Sequence, residues 1–537
     1  MCSEPSSDAA PAARCLLCNV GCPVRVIRSG PDQYLPDYVP HAGYAGLCGR
    51  GSVLVELLDH PERIHESHRH APGGRVVIGT ETAAKEIAET LRSAGPAAIL
   101  VDGNFDVDAI AAVGRLAAAV GARWSVCVEA SDAGLVHGLD SSALGAASLV
   151  GPEALAAADA VLIIGNAYAT HPVAAHWIFE AKTSHPRMKI FAIMDACGVT
   201  AGFAGAVFQP RLAPGEAARA VDAIASGKAD GLGPDSKVLA ACAKALGEAE
   251  KPAIVVGANL GYADAQALGK AVAKLAAKVG ATVCPLTTYG NAWGAMRAGA
   301  AAGAGCPIEL MKSGPKTLLV IGRDMGKPAA LKGVERLMYV GPMPNETSRA
   351  ASLVMPAAFA FESAGRALLG PGREVSFGPL LAPPAGVPTL REVLAMMGAG
   401  ADARGDVSKP AAGAPDVPCG KAEQPADGAI VLALACDPFD FADGSLTRQA
   451  SWPRSVRPRP VLAMAASDAG AAGLVNGEVV RVDGPAGSAR VEVQTSEAQR
   501  PGQARASAAF AELRSIFGWA PGVRVVGDPA TVRLRKV

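Results

Sequence analysis

Four cysteines near the start of the chain have the type and spacing to bind a metal. Cys15, Cys18 and Cys22 lie close together, and Cys48 follows after 25 intervening residues in Leu47-Cys48-Gly49-Arg50-Gly51. Thiolates are soft ligands that select iron-sulfur clusters, zinc or Cu(I). A short loop with three cysteines and a distant fourth favours a [4Fe-4S] cluster. The alternative is a structural zinc site, which usually pairs two C-x-x-C knuckles, whereas this stretch has one.

The segments around these cysteines are predicted to form a small lobe that positions them. Val24–Ile27 has the composition of a short strand, and Gly30-Pro31-Asp32 is typical of a turn. Ser52–Leu58 has a helical pattern. We therefore expect an iron-sulfur lobe over residues 1–65.

A different pattern begins near Thr80, where short, continuous apolar runs alternate with Ala-rich segments of helical period. Such runs indicate strands buried on both faces, which means parallel sheets in α/β domains of the Rossmann-like type. We predict these domains over residues 66–399. The predicted strands are Ala97–Val101, Ala160–Ile164, Lys189–Met194, Ala253–Val256, Thr317–Ile321 and Leu337–Val340.

Glycine-containing turns follow several of these strands, among them Gly165-Asn166 and Gly322-Arg323-Asp324. Ligands of open α/β sheets bind outside the carboxyl ends of the strands, so these turns are candidate binding positions. None of them is a complete G-x-G-x-x-G, and each taken alone also fits an ordinary strand-to-helix turn.

The last part of the chain changes composition twice. Residues 400–427 are rich in Ala, Gly, Pro and charged residues, which predicts a linker. Beyond it, Glu478–Val482 and Ala489–Val493 alternate with near period two around a Gly-Pro turn, which predicts a hairpin. Ser467–Gly473 has a helical pattern. We expect a β-barrel over residues 428–537.

Composition excludes some classes of function. Half of the 537 residues are hydrophobic and 19% are charged, as in globular chains of several domains. Lys+Arg and Asp+Glu both number 50, with no basic run, so we expect no nucleic-acid partner. No apolar run approaches the ~20 residues of a bilayer span, and no export signal precedes Cys15. We predict a cytoplasmic protein without a membrane partner, whose other eight cysteines are free thiols.

A cysteine lobe, then α/β domains, then a β-barrel resembles the molybdopterin oxidoreductases, which bind molybdenum or tungsten through two pterins. The middle region is most similar to the B subunit of formylmethanofuran dehydrogenase, and the barrel resembles that enzyme's D subunit. The most specific segments are the cysteine set, Glu346–Arg373 and Ala463–Arg481. The resemblance implies a [4Fe-4S] cluster on the four cysteines, a C-terminal barrel of the molybdopterin dinucleotide-binding type, and molybdopterin guanine dinucleotide with tungsten or molybdenum.

Several further positions acquire roles from this resemblance. Arg50 corresponds to a basic residue between cluster and pterin, and a proline of the pterin-binding turn is replaced by Ala167. A family threonine is replaced by Arg366, and the arginine of an Asp-Pro-Arg motif by Cys197. The positions that the resemblance implies for cofactor binding are Gly165, Asn166, His171, Asp195, Gly322, Asp324 and Arg50.

The largest departure from the family concerns the heavy metal. Active relatives carry a cysteine or selenocysteine followed by histidine as the direct ligand. The ungapped alignment places Ser131 and Asp132 there, and a small gap would recruit Cys127 instead, without a histidine after it. Serine is a molybdenum ligand in some members of the superfamily, while Cys127 also fits a buried strand thiol. Ser131 and Cys127 are therefore the candidate catalytic ligands, at a degenerate position.

These departures favour a B/D-fused, non-redox scaffold subunit of a formyltransferase/hydrolase complex of one-carbon metabolism. Its partners would be the other subunits of such a hetero-oligomer, or of a formylmethanofuran dehydrogenase complex. The alternative is an active tungsten or molybdenum subunit of formylmethanofuran dehydrogenase or of a formate dehydrogenase-like oxidoreductase. A third hypothesis is an electron-relay subunit that has lost its pterin.

Overall fold

The computed structural model describes most of the chain. The described residues are 12–30, 33–37, 46–93, 95–142, 144–194, 198–228, 232, 236–257, 260–326, 331, 333–400, 403–411, 419, 429–435, 439–497, 499–517 and 529–537.

In the described part of the N-terminal lobe lie a hairpin and two short helices. Strands β1 (Arg25–Gly30) and β2 (Gln33–Asp37) pair antiparallel, which confirms the predicted strand. The single helix predicted over Ser52–Leu58 is instead split into α1 (Gly49–Ser52) and α2 (Leu54–Leu58). The break falls at Val53, whose N–H donates to the carbonyl of Arg50 at 3.3 Å, three residues back, as in a tightened helical turn.

Two α/β units follow, and their strands alternate with helices as the apolar pattern predicts. The predicted runs are confirmed as strands, with ends shifted by at most one residue. In chain order the elements are β3 (His68–Ala71), β4 (Gly74–Val77), α3 (Thr80–Ser93), β5 (Ala97–Asp102), α4 (Val107–Val120), β6 (Arg123–Cys127), α5 (Ala130–Asp140), β7 (Ala160–Ile164), α6 (Ala167–Thr170), α7 (Pro172–Ser184), β8 (Lys189–Ile193), α8 (Val199–Phe203), β9 (Ala206–Phe208), α9 (Glu216–Ser226), α10 (Ser236–Glu248), β10 (Pro252–Val256), α11 (Tyr262–Val279), β11 (Thr282–Pro285), α12 (Ala292–Ala301), α13 (Pro307–Lys312), β12 (Thr317–Ile321), β13 (Arg336–Gly341), α14 (Glu346–Ala350), β14 (Leu353–Pro356), β15 (Gly365–Leu368), β16 (Glu374–Phe377) and α15 (Leu390–Met396).

The strands of these units form two large sheets. The five-stranded sheet has the order β11-β10-β7-β8-β9 and is parallel throughout. The seven-stranded sheet has the order β4-β3-β14-β13-β12-β5-β6, with a parallel core and an antiparallel edge at β3 and β4. Strand order reverses between β10 and β7 in the first sheet and between β12 and β5 in the second. Each reversal creates a crevice at the carboxyl ends of the strands, where ligands of such folds bind.

The first residues of the predicted linker pack against helices α4 and α5. Gly405 N donates to Asp108 Oδ1 at 2.8 Å, and Ala411 N donates to Asp140 Oδ2 at 2.8 Å. Val407 and Ala411 are buried beside α4 and α5. The polar composition of this segment therefore does not prevent it from covering helices. Residues 412–418 and 420–428 of the predicted linker lie outside the described residues.

The elements of the C-terminal unit are β17 (Ala429–Ala435), α16 (Ser451–Val456), β18 (Val461–Ala465), α17 (Ala466–Ala471), β19 (Val479–Gly484), β20 (Gly487–Ser496), β21 (Gln503–Ser507), α18 (Ala511–Ile516) and β22 (Ala530–Lys536). Its strands form a closed barrel of order β17-β21-β18-β20-β19-β22, as the resemblance implied. The predicted hairpin is present, with Gly484 opposite Gly487 across a two-residue turn, and the predicted helix corresponds to α17. Over the described residues, no helix combines the length and apolar character needed to cross a bilayer.

Candidate functional site

The crevice between β5 and β12 contains a buried network of charged and phenolic side chains. Asp102 is the last residue of β5, and Arg323 follows β12 by two residues. Arg323 Nη2 lies 2.9 Å from Oε1 of Glu129, and its Nη1 lies 3.6 Å from Oδ2 of Asp102. The same guanidinium donates to the hydroxyl of Tyr289, which in turn donates to Asp102 Oδ2 at 3.0 Å.

A loop that precedes α16 closes this crevice from the barrel side. The ring of Phe441 packs on that of Tyr289 with centroids 4.9 Å apart, and Asp443 is 2% exposed. Arg514 donates to the Asp443 carbonyl at 2.5 Å, which ties the loop to the barrel. The space left among these side chains is about 60 Å³.

The pKa values in the crevice reflect burial opposed by neighbouring charge. Burial raises the pKa of Asp102 to about 6, although Arg323 acts in the opposite direction. Burial also raises the pKa of Tyr289 well above its usual value. The pKa of Asp443 is lowered, because Arg323 and Arg514 outweigh its burial. The crevice is thus a compensated ionic cluster, in which two arginines face three carboxylates.

The two candidate metal ligands lie beside this network. Cys127 ends β6 in a core cluster with Leu100 and Val320, and burial raises the pKa of its thiol to about 12. Ser131 is half-buried in the first turn of α5. Neither residue is among those around the small cavity. Asp132, at the histidine position, accepts hydrogen bonds from the backbone N–H groups of Thr288 (3.0 Å) and Tyr289 (2.8 Å), so its carboxylate anchors a loop.

The crevice of the five-stranded sheet is open. Gly165, with φ of +95°, and Asn166 follow β7 at the reversal of strand order. Asn166 Oδ1 accepts from the Thr200 hydroxyl at 2.8 Å, which fixes the turn against α8. Here the sheet and the barrel enclose a cavity of about 570 Å³, within the range of about 300–1,000 Å³ typical of ligand sites.

The four cysteines lie around a single small cavity in the N-terminal lobe, which Arg50 and His171 also line. Burial raises the pKa of Cys18 to about 11, and burial with the neighbouring thiols raises the pKa values of Cys15 and Cys22. Within the described ranges, no group of three or more His, Cys, Asp or Glu side chains is arranged to hold a metal ion.

Arg50 and His171 connect the lobe to the five-stranded unit. Arg50 is 2% exposed and donates to the carbonyl of Thr170. The His171 ring lies between the Thr170 hydroxyl at 2.9 Å and the Thr287 carbonyl at 3.0 Å. Burial, followed by the charge of Arg50, lowers the pKa of His171 to about 3, so the ring is neutral at pH 7.

The remaining predicted positions have separate locations. Gly322 has φ of +73°, and a Cβ there would lie 2.7 Å from the Phe105 ring, so glycine is required by its neighbours. Asp324 accepts from the Thr347 hydroxyl at 3.1 Å and lines neither crevice cavity. Asp195 lies outside the described residues.

The sequence analysis did not identify the residues that fill the crevice between β5 and β12. Arg323 stands between Gly322 and Asp324, and Asp102 directly follows the apolar run Ala97–Val101. Charged residues at the ends of two buried strands were the available signal. Tyr289 and Asp443 gave no such signal, because they reach the crevice from a loop after β11 and from the barrel side.

Comparisons with known proteins agree with this architecture. Residues 442–527 match the family described as Molydopterin dinucleotide binding domain. The fold of the chain matches 93 chains of solved structures, and one of them is acetylene hydratase from Pelobacter acetylenicus. That comparison has a TM-score of 0.74 and 13% identity, and it covers 98% of this chain and 100% of that chain. No curated protein sequence matches the chain.

The fold and the C-terminal match define the class of protein. The chain has the fold of acetylene hydratase and carries a C-terminal domain of the molybdopterin dinucleotide-binding family. The predicted C-terminal barrel of the molybdopterin dinucleotide-binding type is confirmed by the first match, and the second shows that the whole chain shares the fold of that structure.

Proposed function

We propose that this chain is the B/D-fused subunit of a formyltransferase/hydrolase complex, in which it acts as a scaffold without its own redox reaction. Its partners are the transferase and hydrolase subunits of that complex. The main support for this proposal is the crevice between β5 and β12, where the side chains of Arg323, Tyr289 and Asp102 occupy the position at which ligands of this fold bind.

The residues of this crevice do not fit a pterin-bound molybdenum or tungsten. Its centre is a guanidinium that carboxylates already compensate, so a ligand placed there would have to break a buried ion pair. The remaining space of about 60 Å³ excludes a pterin. The candidate thiol of Cys127 is buried in a core cluster with Leu100 and Val320 and does not line the small cavity.

The N-terminal lobe contains the donor set of a different group. Four thiols around one cavity are the donor set of a [4Fe-4S] cluster, in which each cysteine binds a different iron. A structural zinc ion usually takes its four sulfurs from two C-x-x-C knuckles, whereas this stretch has one. We therefore propose that Cys15, Cys18, Cys22 and Cys48 hold a cluster, beside which Arg50 supplies positive charge.

The second candidate is an active oxidoreductase subunit, which this cysteine set and the open cavity of the five-stranded unit favour. The name of acetylene hydratase describes the hydration of acetylene, so the fold also occurs in a protein named for a reaction other than electron transfer. The filled crevice favours the scaffold.

Purification through a tag on this chain tests the proposal. We expect the transferase and hydrolase subunits to co-purify and to release formate from a formylated methanofuran-type carrier. We expect no reduction of a redox dye by the same substrate. Dye reduction at a rate comparable to formate release would contradict the scaffold role.

A further inference from the structure

The small cavity beside the ion pair of Arg323 has two buried oxygen acceptors on its wall. Asp443 Oδ2 and Asn104 Oδ1 are inaccessible to solvent, and neither has a hydrogen-bond partner among the described residues. Both residues line the same cavity of about 60 Å³, as does Asp102. From these acceptors and the charges around them we infer that the cavity binds a monovalent cation, which leaves the ion pair intact.

Asp443 is the stronger of the two acceptors, because it is charged. It is 2% exposed, and its Oδ1 accepts from Ser445 N at 3.0 Å. Arg323 and Arg514 outweigh its burial and lower its pKa, so the carboxylate is ionised at pH 7. A buried carboxylate oxygen without a donor or a cation beside it retains the cost of its desolvation. A cation in contact with Oδ2 would remove that cost.

The carboxylates around the cavity outnumber the guanidinium groups. Two guanidinium groups, those of Arg323 and Arg514, act on Asp443. Burial and then the charge of Asp443 raise the pKa of Asp324, so this carboxyl group is also near. The carboxyl groups that share the two guanidinium groups are those of Asp102, Glu129, Asp443 and Asp324. At least one negative charge is therefore left for a cation to balance.

The available ligands favour an ion with a single charge. Both oxygens of Asp102 already accept hydrogen bonds, Oδ1 from Asn104 N at 2.9 Å and Oδ2 from the Tyr289 hydroxyl at 3.0 Å. Ca²⁺ takes about six to eight oxygen ligands, and Mg²⁺ requires near-octahedral geometry. In the part of the chain that the structure describes, no three acidic, His or Cys side chains are placed to hold such an ion. A monovalent cation makes a smaller demand on the charge of its ligands.

The two acceptors belong to different parts of the fold. Asn104 follows β5 by two residues, so it is fixed to the seven-stranded sheet. Asp443 lies in the loop before α16, which Arg514 ties to the barrel through the Asp443 carbonyl. A cation that contacts both would join the barrel to the sheet at this crevice. Because it would bind only the folded chain, it would also stabilise that chain.

Thermal unfolding of the purified complex in different chloride salts tests the inference. At equal ionic strength, the melting temperature should be at least about 2 °C higher in potassium, sodium or ammonium chloride than in choline chloride, whose cation is too large for the cavity. Equal melting temperatures in all four salts would show that water alone occupies the cavity, which overturns the inference. A rise that only calcium or magnesium chloride produces would overturn the assignment of a monovalent ion.

Variants locate the ion. Asp443→Asn keeps the shape of the side chain and removes its charge, so the difference in melting temperature between the salts should disappear. Asp222→Asn is the matched control, because this exposed carboxylate of α9 pairs with Lys274 at 3.2 Å, and it should retain the difference. Retention of the difference in both variants would overturn the location.

A second variant keeps the test open if Asp443→Asn does not fold. Asn104→Ala removes the other acceptor and should reduce the difference between the salts, and an unchanged difference would overturn its role as a ligand. The comparison uses differences between salts within one variant, so a general loss of stability does not imitate loss of the ion. Failure of this test leaves the proposed scaffold role unaffected, because that role is tested by dye reduction and heavy-metal content.

Discussion

Arg323 Nη2 lies 2.9 Å from Glu129 Oε1, with both side chains less than a tenth exposed, at the carboxyl edge of the seven-stranded sheet. The pair occupies the place where a ligand would enter this fold. Because both groups are buried, each depends on the other for compensation of its charge. Loss of either partner would therefore leave a buried charge without compensation, and together the two side chains close the crevice.

Replacing Arg323 should destabilise the protein strongly. Arg323→Met would leave Glu129 and Asp102 buried without their cation, at a cost of about 3–5 kcal/mol in unfolding free energy. The measurement is thermal and denaturant unfolding. Arg349→Met removes an exposed arginine paired with Glu346 at 3.5 Å and should change stability by less than about 1 kcal/mol. Similar small effects from both variants would contradict a compensating role for Arg323.

The pair formed by Arg366 and Asp108 should make stability depend on acid pH. Burial tends to raise the pKa of Asp108, but hydrogen bonds from Arg366 and from Gly405 N lower it below its usual value. Because the folded pKa is lower than the unfolded one, the stabilisation is complete above the unfolded pKa of about 3.9. It is lost as pH falls through the folded pKa.

Unfolding of the wild type and of Arg366→Ala, measured from pH 7 to pH 2.5, checks this sign. The stability advantage of the wild type should shrink over the acid end of that range. If the difference in unfolding free energy between the wild type and Arg366→Ala were the same at every pH, Arg366 would contribute through packing alone.

Asp106 should show the opposite dependence. It caps α4 by accepting from Asp108 N and Ala109 N, while burial raises its pKa to about 6. The folded state therefore holds an extra proton between about pH 4 and pH 6, and stability falls as pH rises through that window. Asp106→Asn keeps the cap and removes the charge, so it should be more stable by about 1–3 kcal/mol at pH 7.5. If Asp106→Asn had a lower unfolding free energy than the wild type at pH 7.5, the buried carboxylate would not be destabilising.

The cysteine lobe should depend on its proposed cluster. Cys18→Ala should lose most of the iron and lower the melting temperature, because a metal group held by four residues links the loop to α1. Cys242→Ala, which removes a buried thiol from α10, should keep the iron. An unchanged melting temperature and iron content in Cys18→Ala would refute a structural cluster.

Strands were predictable from the sequence because their apolar runs are continuous. Ala160–Ile164 has the predicted bounds, and β5 extends the predicted run by one residue to Asp102. The filled crevice was not predictable, since Tyr289 and Asp102 are 187 residues apart and meet through strand order. Local pattern does not report which strand ends become neighbours. The cover that residues 403–411 give to α4 was missed for a related reason, because it depends on backbone hydrogen bonds to Asp108 and Asp140.

The content of tungsten, molybdenum and iron in the purified complex tests the central claim most directly. Elemental analysis should find about four iron atoms per chain, as expected for one [4Fe-4S] cluster, and neither heavy metal above trace level. The complex should be prepared from cells supplied with both metals, so that supply does not limit the result. Stoichiometric tungsten or molybdenum on this chain would contradict the account of Arg323 as the residue that closes the crevice.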